Sequence, residues 1–261
     1  MHCKNSNIAV SLLIFIFLLT PLAQAEILFE GYYKVTQFKK HIGFLILRHE
    51  IETKTQNFKT TSFIKLAKGG FDLTETYQAV SDQELAPLSI SYLAVGDKKT
   101  KTIDVKFKDQ QMTGTVSEDG KKIKVSEKVP KGVFLSSALY YLMLRSPGGL
   151  KTDSTFDYSA ITEEGPVVMS GTVKVDKKMV TEGPHQLLKI NNRFAGSDYD
   201  NWVSTRGEVI RAATPATSIE SALVRDPQEA LEGIKLNSGT LEKVFGNKPT
   251  GQKNIFSQKG Q

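Results

Sequence analysis

The sequence of 261 residues lacks most of the residues that support cross-links and thiol chemistry. Its single cysteine, Cys3, lies near the N-terminus, so the rest of the chain forms no disulfide. The same absence excludes a cysteine nucleophile and a thiolate-ligated metal site. Because Cys3 precedes the N-terminal apolar run, it is not a lipid-attachment cysteine either. The folded protein must therefore be stabilised by its own core.

Histidine is also scarce, and the motifs of common catalytic sites are missing. Beyond the first residues the chain has His41, His49 and His185, and no two of them have the spacing of metal ligands on a helix. A zinc site needs about three convergent ligands. The Gly-x-Ser-x-Gly motif is absent, and Gly148 and Gly149 follow a predicted helix rather than lead into one, which excludes a phosphate loop. The sequence thus predicts no catalytic residue, no metal and no cofactor.

The first 25 residues have the layout of a cleaved secretory signal. Lys4 precedes an apolar run over residues 8–19, and Ala23 and Ala25 supply the small residues that a signal peptidase accepts. A membrane anchor is the alternative, but this run of about 12 residues is shorter than the roughly 20 that a spanning helix needs. Cleavage is expected between Ala25 and Glu26, which leaves no transmembrane segment and a periplasmic or secreted protein.

The charge balance is moderately basic, with 34 Lys and Arg against 28 Asp and Glu. The lysines form small clusters beside acids, such as Lys121 and Lys122 or Lys177 and Lys178. These clusters are typical of solvated hairpin tips and lysine-protected edge strands. Attraction to an anionic envelope surface, such as lipid headgroups, is the open alternative. No aromatic residues are threaded through a basic groove, so no nucleic-acid partner is predicted.

The alternation of apolar and polar residues predicts a mainly β fold. It dominates from Glu26 to about Val129; Ile103 and Val105, for example, alternate with charged residues. Strands resume after Ser154. We expect one β-rich domain over residues 26–236, built as a strongly curved antiparallel sheet or an open β-barrel.

Two helices and a tail complete the expected organisation. Residues 132–145 are apolar around most of a helical circumference, which predicts one buried helix. Asp226 and Pro227 form a helix start signal, so a short C-terminal helix is expected to reach about Lys235. Residues 237–261 are rich in Gly, Asn, Lys and Gln and are expected to form a mostly disordered polar tail.

The buried helix also supplies the candidate site. An apolar helix against a two-faced sheet can line a cavity, and the helix would present Leu139, Tyr140 and Met143 to it. Trp202 follows a polar and aromatic run over residues 198–201, a mixture that can contact a ligand or enter a strand with the indole buried. We therefore predict these four residues as ligand-binding positions.

Four short segments carry a resemblance to known proteins, namely 31–35 (GYYKV), 135–141 (LSSALYY), 182–185 (EGPH) and 202–204 (WVS). They resemble a family of exported bacterial β-rich proteins whose defining domain has no assigned function. The likeness extends from Glu26 to Glu232. It implies a strongly bent antiparallel sheet wrapped around a helix, a shape distantly similar to periplasmic lipoprotein carriers, but no catalytic residues.

The favoured function is a non-enzymatic exported protein that binds an apolar or lipid-like ligand in the concavity of the sheet. A docking module for another protein of the cell envelope is the first alternative, suggested by the lysines and the tail. A hydrolase is the second, and the sequence offers it the weakest support.

The signal prediction has a direct test. When the full chain is expressed in a bacterium with an export pathway, the accumulated protein should begin at Glu26, because the peptidase requires the small residues before that position. Intact mass and N-terminal sequencing of the extracytoplasmic fraction measure this. Replacing Ala23 and Ala25 with Leu should block processing, and an unprocessed wild-type chain would contradict the prediction.

Overall fold

The computed structural model describes residues 25–96, 99–237 and 239–257, and these form one large, mostly antiparallel sheet. Of the predicted signal, only Ala25 lies within the described residues. In the described ranges no helix is long and apolar enough to cross a bilayer. The strands are β1 (Glu26–Gln37), β2 (Lys40–Ile51), β3 (Phe58–Leu66), β4 (Leu73–Ser81), β5 (Pro87–Gly96), β6 (Lys99–Lys108), β7 (Gln111–Glu118), β8 (Lys121–Lys128), β9 (Phe134–Leu135), β10 (Thr155–Ile161), β11 (Val168–Val175), β12 (Val180–Glu182), β13 (His185–Phe194), β14 (Ser197–Ser204), β15 (Val209–Thr214) and β16 (Ile219–Leu223).

The strand order follows from short connections between sequence neighbours. Strands β1 to β8 form a continuous meander, and β16 returns to pair with the other side of β1. From β16 the sheet continues through β15, β14, β13, β11 and β10 to β9, so β8 and β9 are its two ends. The sheet is not closed, and its mainly β, open architecture confirms the predicted fold class.

The two ends of the sheet are joined by packing instead of hydrogen bonds. Phe134 and Ala160 belong to the core around the helix, whereas their neighbours Leu135 and Ile161 belong to a second core. This second core includes Ile90 and other inner residues of β5 to β7. The β9–β10 end therefore lies over the inner face of the meander, which shields it from solvent.

The predicted buried helix is present but begins later than residue 132. A 3-10 turn, Ser136–Ala138, leads into α1 (Leu139–Arg145). The preceding Phe134–Leu135 forms β9, which pairs in parallel with β10. Apolar side chains alone do not distinguish a buried strand from a buried helix, and here each of the two residues serves a different core.

The C-terminal segment differs from the sequence prediction. The expected helix forms as α2 (Pro227–Leu231) but ends before the predicted Lys235, and the Asp226 carboxylate caps it by accepting the Gln228 N–H at 2.9 Å. The expected disordered tail instead contains α3 (Thr240–Phe245) and a packed stretch up to Ser257; residues 258–261 lie outside the described part of the chain. Ala230 and Phe245 are buried with aromatic residues of the outer face of β1 to β3, including Phe44 and Phe63. This packing holds the tail.

A buried ion pair fixes the end of this segment, which we call the C-terminal latch (Glu30, Arg48 and residues 245–251). The Arg48 Nε donates to Glu30 at 2.7 Å, and the rest of the guanidinium donates to the Phe245 carbonyl at 2.9 Å and the Asn247 side chain at 2.7 Å. The other Glu30 oxygen accepts the Gly251 N–H at 2.7 Å. Both charged side chains are only 2–3% exposed. Strands β1 and β2 are thereby covered on the outer face as well as the inner one.

Breaking the latch should destabilise the protein strongly. Arg48→Leu leaves the Glu30 carboxylate buried without its cation, and this should lower the free energy of unfolding by about 3–5 kcal/mol. Chemical denaturation measures the loss. The exposed Arg193 provides the control, because Arg193→Leu should change stability little. The double variant Glu30→Leu/Arg48→Leu should be less destabilised than Arg48→Leu alone; a larger loss would contradict the account.

Candidate functional site

A cavity of about 320 Å³ remains inside the curved sheet, beside the helical segment 136–145. Its walls come from that segment, from β2 and β4 on one side, and from β10 and β13 to β15 on the other. Five of the eight tyrosines in the chain line it, so we call it the tyrosine cavity. These residues are Tyr77, Tyr140, Tyr141, Tyr158 and Tyr199.

The alternation of strand side chains explains why the tyrosines converge. In β10, Phe156, Tyr158 and Ala160 point to the helix-side core. Tyr158 lies opposite Gly171 of β11. A Cβ atom at Gly171 would stand 2.4 Å from the tyrosine ring, so the glycine provides the space in which the ring lies.

Apart from Glu164 at its edge, the polar groups that line the cavity are neutral. The Tyr158 hydroxyl donates to Asn192 Oδ1 at 2.8 Å, and burial raises the pKa of this tyrosine to about 12. Burial also raises the pKa of Tyr140 and Tyr141 well above the usual value. Because a buried phenol is costly to ionise, these hydroxyls stay protonated and can donate or accept hydrogen bonds. Asn201, also buried, adds an amide to the same wall.

His49 forms part of the cavity wall from β2, within an aromatic cluster. Its ring stacks on Phe58 at 5.4 Å and meets Tyr141 edge-on at 5.1 Å. The Nδ1 atom lies 2.9 Å from the Thr60 hydroxyl. Burial lowers the pKa of His49 to about 3, so the imidazole is neutral at physiological pH.

The cavity opens towards solvent at Glu164 and Ala195, both of which are exposed. Behind the opening, the buried Glu163 accepts the Ser136 hydroxyl at 2.6 Å and the Ser137 N–H at 3.1 Å. Burial, and secondarily the neighbouring Glu164, raise the pKa of Glu163. These two hydrogen bonds hold the start of the helical segment against the β10–β11 turn.

The structure brings together two of the four predicted ligand-binding residues. Leu139 and Tyr140 line the cavity. Met143 is 1% exposed and packs in the core beside it. Trp202 lies on the opposite face of β14 from Asn201, with the Arg211 guanidinium 3.7 Å above its ring.

Sequence reasoning missed Tyr77, Tyr158 and Asn192 of the cavity wall, and it noted Tyr199 and Asn201 only as part of the run 198–201 before Trp202. A signal for them exists in the alternation, which assigns each to an inner position of its strand. Within the described ranges, no three His, Cys, Asp or Glu side chains are placed so that they could hold a metal ion.

Comparisons with known proteins identify a family and a fold. A family model described as "Protein of unknown function (DUF3108)" matches residues 30–210. No curated protein matches the chain. A crystal structure of a beta-barrel-like protein with a domain of unknown function, DUF1849, from Brucella abortus aligns with a TM-score of 0.53 and 13% identity, over 77% of this chain and 98% of its own. A DUF1089 family protein from Pseudomonas aeruginosa aligns with a TM-score of 0.37 and 12% identity, over 66% of this chain and 89% of its own. The Brucella protein supports the fold alone.

The buried His49 should make stability depend on pH. Its pKa is about 3 in the folded state and about 6.5 when unfolded, so the unfolded state binds more protons below pH 6.5 and stability falls as the pH drops. Between pH 7 and pH 5 this histidine should remove about 2 kcal/mol from the free energy of unfolding. Urea unfolding at the two pH values, compared with His49→Gln, measures the effect.

The difference in pH dependence between the wild type and His49→Gln isolates the contribution of His49 from those of other titrating groups. Burial and Glu164 raise the pKa of Glu75 to about 7, which makes stability rise as the pH falls, but Glu75 is present in both chains. His185→Gln controls for the loss of a histidine outside the cavity. A His49→Gln chain with the pH dependence of the wild type would contradict the prediction.

Proposed function

We propose that this chain, which belongs to the DUF3108 family of proteins of unknown function, binds a small amphipathic ligand in the tyrosine cavity without transforming it. The observation that carries the proposal is the cavity itself. The core around the cavity is closely filled, since Ala160, Val173 and Val203 are all fully buried, yet the cavity remains beside α1. Aromatic rings and neutral polar groups line it.

The size of the cavity limits the ligand. Its volume of about 320 Å³ is at the lower end of the ~300–1,000 Å³ typical of ligand pockets. This volume favours a compact molecule, or one compact part of a lipid, over two long acyl chains.

The chemistry of the walls favours an uncharged ligand. Ring faces of Tyr140 and Tyr158 offer apolar contact, and their hydroxyls with Asn192 and Asn201 offer hydrogen bonds. His49 is neutral, and the exposed Glu164 stands at the opening. A charged group carried inside would lose hydration without gaining an opposite charge. An apolar body with a few hydroxyl, carbonyl or amide groups therefore fits best.

We place this binding activity in the periplasm or outside the cell. The support is the signal layout of residues 1–25. A carrier or sensor in that compartment can hold a poorly soluble compound in a cavity lined by aromatic side chains. The proposal assigns the cavity residues to holding and orienting the ligand, and no catalytic step to any of them.

A neutral aromatic probe tests the cavity. N-phenyl-1-naphthylamine should bind in a one-to-one ratio, with increased fluorescence on transfer from water to the cavity. Val209 lines the cavity, so Val209→Phe should occupy part of its volume and weaken binding about ten-fold or more. The matched control is Val95→Phe, at an exposed position of β5, which should bind as the wild type does.

Two further measurements make the result decisive. Circular dichroism and thermal unfolding establish that Val209→Phe is folded, and native mass spectrometry of the protein from its producing cells should detect a bound small molecule. Equal probe binding by the wild type and a folded Val209→Phe would overturn the proposal.

A further inference from the structure

Exposed apolar side chains are concentrated at one rim of the sheet. Seven large hydrophobic side chains are exposed among the described residues, and six of them lie at that rim. The seventh, Leu144, is on α1. Scattered surface hydrophobics are normal, but a shared location indicates an interaction surface. The six are Phe38, Leu93, Val95, Ile123, Val167 and Met169.

The strand pairing shows that these positions share one rim. In the meander, the last residues of β1, β5 and β7 and the first residues of β2, β6 and β8 all lie at the same end of the sheet, because consecutive strands are antiparallel. The start of β16 pairs with the end of β1 and therefore lies at the same end of the sheet. The pairings from β16 through β15, β14 and β13 to β11 place the start of β11 at this end as well. Each of the six side chains lies in a connection at this rim or within three residues of a strand end there.

Phe38 is the most distinctive member. It forms the two-residue β1–β2 turn with Lys39, and both have positive φ, 47° and 63°. Such turns favour Asn and Gly, so the turn itself does not select phenylalanine. The side chain is 70% exposed and its backbone N–H donates to the Ser218 carbonyl at 3.2 Å. The aromatic ring is therefore held at the tip of an anchored hairpin.

Unpaired lysines surround the apolar tips of the meander half of the rim. Lys39 and Lys40 follow Phe38, and Lys122 and Lys124 flank Ile123. None of these lysines forms an ion pair within the described part of the chain.

Three acids on the same half are engaged internally, and Glu220 lies near Phe38 and Lys39. Asp72 pairs with Lys65 at 3.0 Å and Glu118 with Lys101 at 3.3 Å, while the Asp119 carboxylate accepts the Thr100 N–H at 2.8 Å. The opposite half carries the exposed Glu164 and Asp198. The meander half therefore presents free positive charge next to exposed apolar groups.

We propose that the meander half of this rim docks on the surface of a phospholipid bilayer that contains anionic lipids. Phe38 and Ile123 insert at the boundary of headgroups and acyl chains, and the neighbouring lysines contact anionic headgroups. The opening of the tyrosine cavity, at Glu164 and Ala195, lies at the same rim. Docking does not require a ligand in the cavity, so this inference goes beyond the proposed binding function and stands separately from it.

Vesicle binding tests the proposal. The full chain is expressed, the form that cells accumulate is purified, and all variants are compared in that form so that any contribution of residues 1–25 is common to them. The wild-type protein should co-sediment more with vesicles of phosphatidylcholine and phosphatidylglycerol than with vesicles of phosphatidylcholine alone. Raising the salt from ~0.1 M to ~1 M should weaken binding, because the screening length falls from ~10 Å to ~3 Å.

Phe38→Asn is the decisive variant, since Asn suits the turn and should preserve the fold. It should lower partition into mixed vesicles about ten-fold, the expected loss for removing one inserted aromatic side chain. Leu144→Ser removes an exposed apolar side chain away from the rim and should bind as the wild type does. In a Phe38→Trp chain, the emission of the introduced indole should shift to shorter wavelength on vesicle addition.

The outcomes separate the alternatives. Loss of binding with Phe38→Asn and retention with Leu144→Ser supports docking. Absence of binding to anionic vesicles, or equal binding by Phe38→Asn and wild type, overturns it; equal binding with salt sensitivity would mean charge adsorption alone. Val209→Phe should lose the naphthylamine probe and still bind vesicles, so failure of one proposal is distinguishable from failure of the other.

Discussion

The packing of the helical segment 136–145 against the concave face of the sheet is the constraint that determines how the interior is filled. A curved sheet of this length encloses more space than its own side chains fill, so one apolar element must supply the rest of the core. Leu139 and Met143 do so, packed among residues of β10, β11, β13 and β14. Glu163 holds the start of the segment through Ser136 and Ser137. The tyrosine cavity is the space left between this anchored helix and the walls, so its volume follows from where the helix is fixed.

The outer face imposes a second constraint, and β2 connects the two. Arg48 faces outward into the C-terminal latch, and the next residue, His49, faces inward to the cavity. A shift of one residue in the register of β2 would exchange these faces and place a guanidinium beside the tyrosines. Because Arg48 is bonded to both Glu30 and the Phe245 carbonyl, that register is strongly specified. A charged contact on the outside thus helps to keep the inside neutral.

The sequence was sufficient for the architecture and insufficient for what tertiary packing decides. Period-two alternation and the Asp226 cap are local signals, and the sheet and α2 follow them. The order of residues 239–257 depends on Glu30, more than 200 positions away, which no local pattern reveals. For the site, the sequence predicted the apolar helix. Tertiary packing decides that Met143 lies in the core and that Tyr158 borders the cavity. Alternation predicts on which face of the sheet a side chain lies, but it does not predict which residues pack over that face.

The distribution of charge separates the roles of rim and cavity. Inside, raised tyrosine pKa values and a neutral His49 leave no net charge to attract an ion, so selection there depends on shape and hydrogen bonds. In the docking that we propose at the rim, the lysines would supply long-range attraction, and the exposed Phe38 and Ile123 would supply short-range insertion. A poorly soluble compound is most concentrated in or on a bilayer. The cavity opens at the same rim, on the half opposite the proposed docking surface, so docking would bring this opening near the bilayer, and the two proposals, although tested separately, are compatible.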